Sequence, residues 1–478
     1  MTIKYGTIKL NVIGHNSEFE LENIINAFRP YMNLQKTDYV VESKVEGTRV
    51  SSILLADTSV VESYTIEVES QDLTRQALKK SLYKVLSNFI GKDIPWGVLT
   101  GIRPTKIVHN YKKKGLTEST IKTKLIEEYC ISREKADLMI DVARKEEEVL
   151  YQNKEGEISI YIGIPFCPTR CLYCSFTSYS LKEKGQLVDA YLDALVREMR
   201  YVSSRIKANT IRSIYIGGGT PTSLNDRQLE KLLKEVDKCF NIGEIEEYTI
   251  EAGRPDTLNR NKLRLMKKHN VDRISINPQT MRQETLKTIG RSHSVEDIKN
   301  VFNMAREEGH QNINMDLIIG LPGETSEDIS YTMEEVKKLK PESITVHAMA
   351  IKRASRLREE IEEYDLTKSA TIQKMLEITS RGASKMGMIP YYMYRQKDTL
   401  GNLENIGYAL PGKESIYNIQ MIAEQQTIIA IGAGAVTKEV TDKGNKIKRI
   451  PNVRNVEEYI RRIDEMIERK CMVGTVHK

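Results

Sequence analysis

The sequence predicts an α/β fold: a partial, TIM-type (β/α)6 barrel with an N-terminal α+β module and a C-terminal α/β extension. Three observations carry this reading. Between residues 158 and 350, six short β-rich runs alternate with helical stretches, the pattern of parallel βα units. Six falls short of the eight strands of a closed barrel, so the barrel is expected to be open. Glycines, carboxylates and cysteines fall at the ends of those runs, where folds of this class keep their chemistry.

The first module, residues 1–153, begins with a strand-like stretch over 2–14 and a helix at ELENIINAF. Alternation returns in Arg49–Leu55 and Ser63–Val68, and a long helix is expected from Ser70 to Asn88. GKDIPWGVLTGIRPTK then breaks the pattern with glycines, prolines and the single tryptophan, Trp96. Three helical stretches follow, near Thr105–Lys114, Thr117–Tyr129 and Ser132–Asn153. The core, residues 154–366, holds the runs ISIYIGI, RSIYIGGG, EEYTIEA, DRISINP, NINMDLIIG and ESITVHAMA. Helices are expected between them, at Gly185–Ile206, Asp226–Phe240, Arg260–Lys268, Val295–Glu308 and Ser326–Leu339. The extension, residues 367–478, starts with a helix to Met386. It continues through PYYMYRQKDTLGNLENIGYALPGKESIYNI, the glycine-rich turn IIAIGAGAVTK and the basic NKIKR, and ends in a helix from Val456 to Lys470.

A chain of 478 residues is expected to hold two or three domains. The net charge of +6 does not demand nucleic acid, but it suits an acidic ligand. No apolar run reaches the roughly 18 residues of a membrane span. The first residues lack the pattern of a signal peptide, so a cytoplasmic location is expected. In that compartment clustered thiols mean metal or redox chemistry more often than disulfides.

Three of the six cysteines crowd into CPTRCLYC as Cys167, Cys171 and Cys174. Pro165 and Pro168 oppose a helix there, so a loop after the ISIYIGI strand is expected to turn the three sulfurs around one centre. Structural zinc takes four ligands, usually in two paired sets, and no second Cys/His pair exists. An iron–sulfur cluster takes thiolates, and three of them leave one iron of a [4Fe–4S] cluster open. An open metal position marks catalysis rather than scaffolding.

Other motifs follow at strand ends. Gly217–Thr222 (GGGTPT) sits after the second run, where glycines permit close backbone approach to a ligand. Glu251 ends the third run, Gln279 ends the fourth, Arg291 follows in IGRSH, and Asp316 lies inside MDLIIGLPGE. Charged groups among apolar residues are costly unless paired, so these polar groups could all meet one ligand.

The C-x₃-C-x₂-C spacing on a strand-end loop resembles the radical S-adenosylmethionine (SAM) superfamily. YIGIPFCPTRCLYC, GGGTPT, RISINPQT, GRSH and MDLIIGLPGET together resemble the oxygen-independent coproporphyrinogen III oxidases, or dehydrogenases, whose relatives include a haem chaperone. This resemblance covers roughly Ile158 to Ala350. The N-terminal module and the PYYMYRQKDTLGNLENIGYA region look like the family's type Z variant.

The resemblance implies a [4Fe–4S] cluster on Cys167, Cys171 and Cys174, and one or two SAM molecules. It implies that Tyr161 and Tyr173 lie beside SAM and that Gly218, Gly219 and Thr220 line its methionine end. Glu251, Gln279, Arg291 and Asp316 would contact its nucleoside or carboxylate, with Ala348 near the sixth strand end. The implied chemistry cleaves SAM to a 5′-deoxyadenosyl radical. That radical takes a hydrogen from a propionate β-carbon, and loss of CO₂ and an electron leaves a vinyl group.

The implied partners are a tetrapyrrole and a reductant protein. Such a substrate has four carboxylates, for which Arg254, Lys352, Arg353 and Arg395 are candidate cations and His347 a candidate polar contact. Each of these could equally be an ordinary surface or core residue. Two departures bear on substrate. The bacterial dehydrogenase has a fourth cysteine where this chain has Phe176, and a histidine where it has Gly163. The chaperone branch also lacks that fourth cysteine, which leaves a haem-binding delivery protein as the alternative. The lysines of YKKKG, Tyr111–Gly115, raise a tRNA substrate as a lesser alternative. They read better as a helix end that complements its dipole, without the aromatic-interleaved basic patch of a nucleic-acid site.

Overall fold

A computed structural model describes residues 7–32, 38–176, 178–206, 211–352, 355–360, 369–396, 399, 402–441 and 446–473. The N-terminal module is a four-stranded sheet, β1 (Ile8–Ile13), β2 (Tyr39–Glu46), β3 (Arg49–Ala56) and β4 (Ser59–Glu67), paired in that order. Helix α1 (Glu18–Phe28) lets β1 and β2 run parallel, and α2 (Gln71–Ile90) follows β4. Strand β3 alternates half-buried with buried residues, so one face carries the core. Val50 and Leu54 on that face pack with Leu21 and Phe28 of α1 and Leu82 and Leu86 of α2. The charged ESK inside β2 conceals this strand from a reading by hydrophobic pattern.

Helices α3 (Thr105–Lys113), α4 (Glu118–Tyr129) and α5 (Arg133–Leu150) form the connector. Trp96 fixes it to the C-terminal strands β13 (Ile389–Arg395) and β14 (Glu404–Ala409). The indole Nε1 donates to Glu404 Oε2 at 2.7 Å, Lys135 pairs with the same carboxylate, and the Arg395 guanidinium lies 5.0 Å over the indole ring.

The second sheet has eleven strands. At its centre β5 (Ile158–Ile164), β8 (Ile211–Gly218), β9 (Glu247–Glu251), β10 (Arg273–Ser275), β11 (Ile313–Ile319) and β12 (Ser343–Ala348) lie side by side, all parallel, in sequence order. This is the partial barrel. Two short strands, β6 (Phe166–Cys167) and β7 (Tyr179–Ser180), pair across the base of the cysteine loop. After β7 come α6 (Leu181–Lys184) and α7 (Val188–Arg205), and after β8 comes α8 (Asp226–Cys239). The later core helices are α9 (Arg260–Lys268), α10 (Gln283–Thr288), α11 (Val295–Glu307), α12 (Ser326–Leu339) and α13 (Arg356–Glu359). Capping boxes at Asn225, Ser294 and Thr325 start α8, α11 and α12 by satisfying first-turn N–H groups.

The remaining chain lengthens this same sheet at both edges. After α14 (Ser369–Lys385), β13 and β14 add antiparallel beside β12. After α15 (Ile416–Ala423), β15 (Thr427–Ile431) adds parallel beside β5, followed by β16 (Val436–Thr441) and β17 (Lys446–Pro451). The start of the helix expected after Thr367 lies outside the described residues. The last expected helix is broken at Arg462 into α16 (Val456–Arg461) and α17 (Ile463–Lys470).

A buried polar hub locks this end to the core. Glu198 of α7 accepts from the Gly432 N–H at 2.9 Å, Asn452 Nδ2 at 2.9 Å and Tyr459 Oη at 2.5 Å. Lys470 Nζ lies 3.3 Å from the same carboxylate and donates to the Ala430 carbonyl at 2.6 Å. Both side chains are fully buried, and burial lowers the Lys470 pKa. Removing one partner of a buried pair strands the other charge. Lys470→Met should therefore destabilise the protein by about 3–5 kcal/mol in anaerobic denaturant unfolding. A loss below about 1 kcal/mol would show that the hub does not hold the C-terminal strands.

Candidate functional site

The buried strands expose few side chains at their carboxyl ends, and those few point to one place. In β5 the single half-buried residue is Tyr161, and in β11 it is Asp316. Glu251 holds that position in β9 and His347 in β12. Side chains alternate across a strand, so these residues share the inner face of the sheet. A cavity of about 240 Å³ opens there. Its walls contain Cys167, Cys171, Cys174, Tyr173, Gly218, Gly219, Thr220, Glu251, Gln279, Arg291, Asp316 and Ala348, all of them site residues expected from sequence. Tyr161 is the exception. Its hydroxyl stands behind Gly218, and its ring stacks at 6.3 Å with both Tyr215 and Tyr417.

The cysteine loop is held from beneath. Leu172 N–H donates to the Ile289 carbonyl at 3.0 Å, and Cys174 N–H to the Cys171 carbonyl at 3.1 Å. Arg254, only 3% exposed, donates to Asp256 at 2.7 and 3.0 Å and to Thr169 Oγ1 and carbonyl at 2.8 and 3.0 Å. Its Nη1 lies 4.0 Å from Cys171 Sγ. Arg254 thus braces the loop, and its donors are taken up there rather than offered to a substrate carboxylate. Arg395 is likewise committed elsewhere, to Asn402, the Leu99 carbonyl and Trp96. Lys352 does line the cavity, whereas Arg353 lies outside the described residues.

Burial raises the Cys167 and Cys174 thiol pKa values, so their thiolates belong with a metal cation beside them. Among the described residues no three His, Cys, Asp or Glu side chains are gathered tightly enough for a single metal ion. The three sulfurs instead surround one cavity, an arrangement that suits a cluster whose irons each take one thiolate.

Opposite the loop, the glycines form a cradle. Gly218 adopts φ +114°, and a Cβ there would lie 3.2 Å from the Tyr161 hydroxyl. At Gly219 a Cβ would lie 2.6 Å from the Phe166 carbonyl. Only glycine lets the chain pass here. Thr220 N–H donates to the Phe166 carbonyl at 2.8 Å, which sets its Oγ1 3.4 Å from Cys167 Sγ.

The polar wall is divided by charge. Glu251 accepts from Tyr215 Oη at 2.6 Å and Gly218 N–H at 3.1 Å. Burial, aided by the Asp316 charge, pushes its carboxyl up to about 7. Burial would also lift Asp316, but His347 at 3.8 Å and Asn314 at 2.7 Å more than offset it and its pKa falls. Arg291 donates to the Asn277 carbonyl at 2.7 Å, the Gly253 carbonyl at 3.2 Å and Tyr173 Oη at 3.3 Å. The site therefore pairs carboxylates with a guanidinium, as a zwitterionic ligand requires. Among the described residues Gln279 Oε1 and Arg291 Nε, both buried, find no hydrogen-bond partner, a cost that a bound ligand would remove.

The model of the radical SAM superfamily matches residues 161–336. The oxygen-independent coproporphyrinogen-III oxidase-like protein HemZ of Bacillus subtilis is 38% identical over 472 residues, covering 94% of each chain. The chain belongs to this HemZ-like family of the radical SAM superfamily. The haem chaperone HemW of Bacillus subtilis is 37% identical over 40% of this chain and 50% of its own length. The crystal structure of coproporphyrinogen III oxidase (HemN) from Escherichia coli, a radical SAM enzyme, aligns with TM-score 0.50. It is 23% identical over 68% of this chain and 73% of its own, so it shares the fold.

Radical SAM proteins use a [4Fe–4S] cluster and SAM. The three thiols, the glycine cradle and the two unpartnered polar atoms fit that pair of groups. Sequence reasoning missed Asn277, which orders the radical SAM site from within. Its Oδ1 accepts from the Asp316 N–H at 3.1 Å and its Nδ2 donates to Asp316 Oδ2 at 2.8 Å. Tyr215 and Tyr394 were also missed, although the IYIG of β8 repeats the IYIG of β5 that contains Tyr161.

Arg254 braces Cys171, one of the three thiols that would hold the cluster, and such partners typically govern metal affinity about 10–100-fold. Arg254→Ala should lower iron retention of the reconstituted protein by about that factor on gel filtration, with Arg254→Lys intermediate. Full iron content in Arg254→Ala would show that the brace is dispensable.

Proposed function

We propose that the chain is a coproporphyrinogen III dehydrogenase, converting propionate side chains to vinyl groups without oxygen. The observation that carries this reading is the end-to-end match to the HemZ-like oxidase family, with a cysteine loop and a zwitterion-binding cavity on one sheet end. When bound, the cluster and SAM supply a 5′-deoxyadenosyl radical, the hydrogen-abstracting agent of the superfamily.

The chain's own residues divide the remaining work. The Glu251 carboxylate is suited to accept from an amino N–H, and Arg291 with Gln279 to a carboxylate or ribose hydroxyls. Asp316, held ionised by His347 and Asn314, is a second acceptor. A cavity of about 240 Å³ does not hold a macrocycle as well as SAM, because pockets for drug-sized ligands span about 300–1,000 Å³. The tetrapyrrole therefore engages the mouth, where Arg170, Phe176, Lys352 and Gln396 stand. Removal of a hydrogen atom, CO₂ and one electron then yields the vinyl group, the electron passing to an external one-electron acceptor.

A second reading rests on Phe176. It is 70% exposed at the cavity wall where the bacterial dehydrogenase carries its extra cysteine. An exposed aromatic ring offers a face to a bound haem, as a delivery protein needs.

An anaerobic assay separates the two readings. Reconstituted protein with reductant, SAM and coproporphyrinogen III should give mono- and divinyl products by mass spectrometry. Stoichiometric haem binding without any vinyl product would overturn the enzyme reading in favour of delivery.

Glu251 also predicts a pH profile. Its carboxyl is neutral below about 7, and the ionised form is the stronger acceptor for an amino N–H. SAM affinity should therefore rise roughly tenfold from about pH 6 to about pH 8, measured by equilibrium dialysis. Tyr215→Phe removes a hydrogen bond that lowers the Glu251 pKa, so the midpoint should move to higher pH. A flat profile would remove Glu251 from the binding role.

A further inference from the structure

A second cavity, about 1240 Å³, lies away from the cysteine loop and shares no lining residue with the first. It is enclosed by α2, the 93–95 turn, the α4–α5 junction, α14 and β14. Apolar side chains make its body, among them Ile94, Ile131, Leu138, Leu376 and Ile406.

Charge is distributed unevenly around that body. Lys80 and Lys84, one turn apart on α2, line it without a direct ion pair among the described residues, although the Asp93 and Glu128 carboxylates feel their charge. The cavity's carboxylates are otherwise engaged or solvated. Glu404 is held by Trp96 and Lys135, Asp93 accepts from Tyr83 and Ser87, and Glu127, Glu134 and Glu377 are exposed. Tyr408, 2% exposed, also lines the cavity, with Ser380 beside its hydroxyl.

We propose that this cavity is a second tetrapyrrole site, which holds a carboxylate-bearing macrocycle apart from the cluster. The ligand class rests on the tetrapyrrole reading above. The volume exceeds what drug-sized ligands need, the apolar walls suit a planar ring, and Lys80 and Lys84 suit its carboxylates. The β13–β14 hairpin lies between the two cavities. Ile406 and Tyr408 of β14 wall the holding site, while Tyr394 of β13 and the adjacent Gln396 wall the reaction site. Met393 pairs with Ile406 and Tyr394 with Asn405, so one ladder spans both.

Trp96, the single tryptophan, is bonded to the cavity residue Glu404 and reports the site by fluorescence quenching. The experiment titrates coproporphyrin III into anaerobic, cluster-reconstituted full-length protein. Lys80→Glu/Lys84→Glu should weaken the quenching step at least about tenfold, with iron content equal to wild type. Lys80→Arg/Lys84→Arg should restore it, and Cys171→Ala, which lacks the cluster, should keep it. A wild type that shows no binding step, or a Lys80→Glu/Lys84→Glu isotherm that overlays wild type, would overturn the proposal. Failure of coproporphyrinogen turnover alongside an intact quenching step would remove the decarboxylation reading and leave this site standing.

Discussion

Hydrogen-bond register along six parallel strands sets where every group of the site can stand. Tyr161 is paired with Tyr215, Ser275 with Glu251, and Ile318 with His347. A slip of one residue in any of these pairs would turn its side chains to the other face of the sheet. The same constraint forces glycine at 218 and 219, where β8 ends and the chain passes over Tyr161 and Phe166. Arg254 then transmits the sheet's geometry to the cysteine loop, because its guanidinium ties Thr169 and Cys171 to Asp256. The cluster site is therefore as rigid as the sheet beneath it.

The two flanking parts of the chain act on that sheet differently. The C-terminal strands extend it, and the Glu198–Lys470 hub fixes the 432–435 turn against Gly163. A Cβ at Gly432 would lie 2.7 Å from the Gly163 carbonyl, so the turn and the end of β5 sit in close contact. The constraint falls on Gly432 (φ +105°) rather than on Gly163, where a Cβ would meet its nearest neighbour at 3.4 Å. The N-terminal module touches the catalytic sheet through Trp96, Glu404 and Arg395, and the large cavity forms around this joint.

Much of the fold was legible because the core strands are unbroken apolar runs bounded by helical spacers. The site was legible for the same reason, since a cysteine, glycine or carboxylate stands out at the end of such a run. Other features carried no local signal. Strand β2 was hidden by its own charges, and β15 looked like part of a glycine-rich turn. Its place beside β5, like that of β14 beside β12, depends on contacts far apart in sequence. Arg254 and Arg395 looked like substrate cations because sequence shows charge and not partners. Asn277 was missed because its role is to orient Asp316, which no motif expresses.

The central claim is that Cys167, Cys171 and Cys174 would hold the cluster, and that SAM would bind it between the glycine cradle and the Glu251–Arg291 wall. The most direct measurement is electron–nuclear double resonance on the reduced, reconstituted protein with SAM labelled by ¹⁵N at the amino group and ¹⁷O at the carboxylate. The account predicts hyperfine coupling of both labels to the cluster, lost in Gly218→Val protein that retains its iron. A cluster signal that SAM leaves unchanged would contradict it.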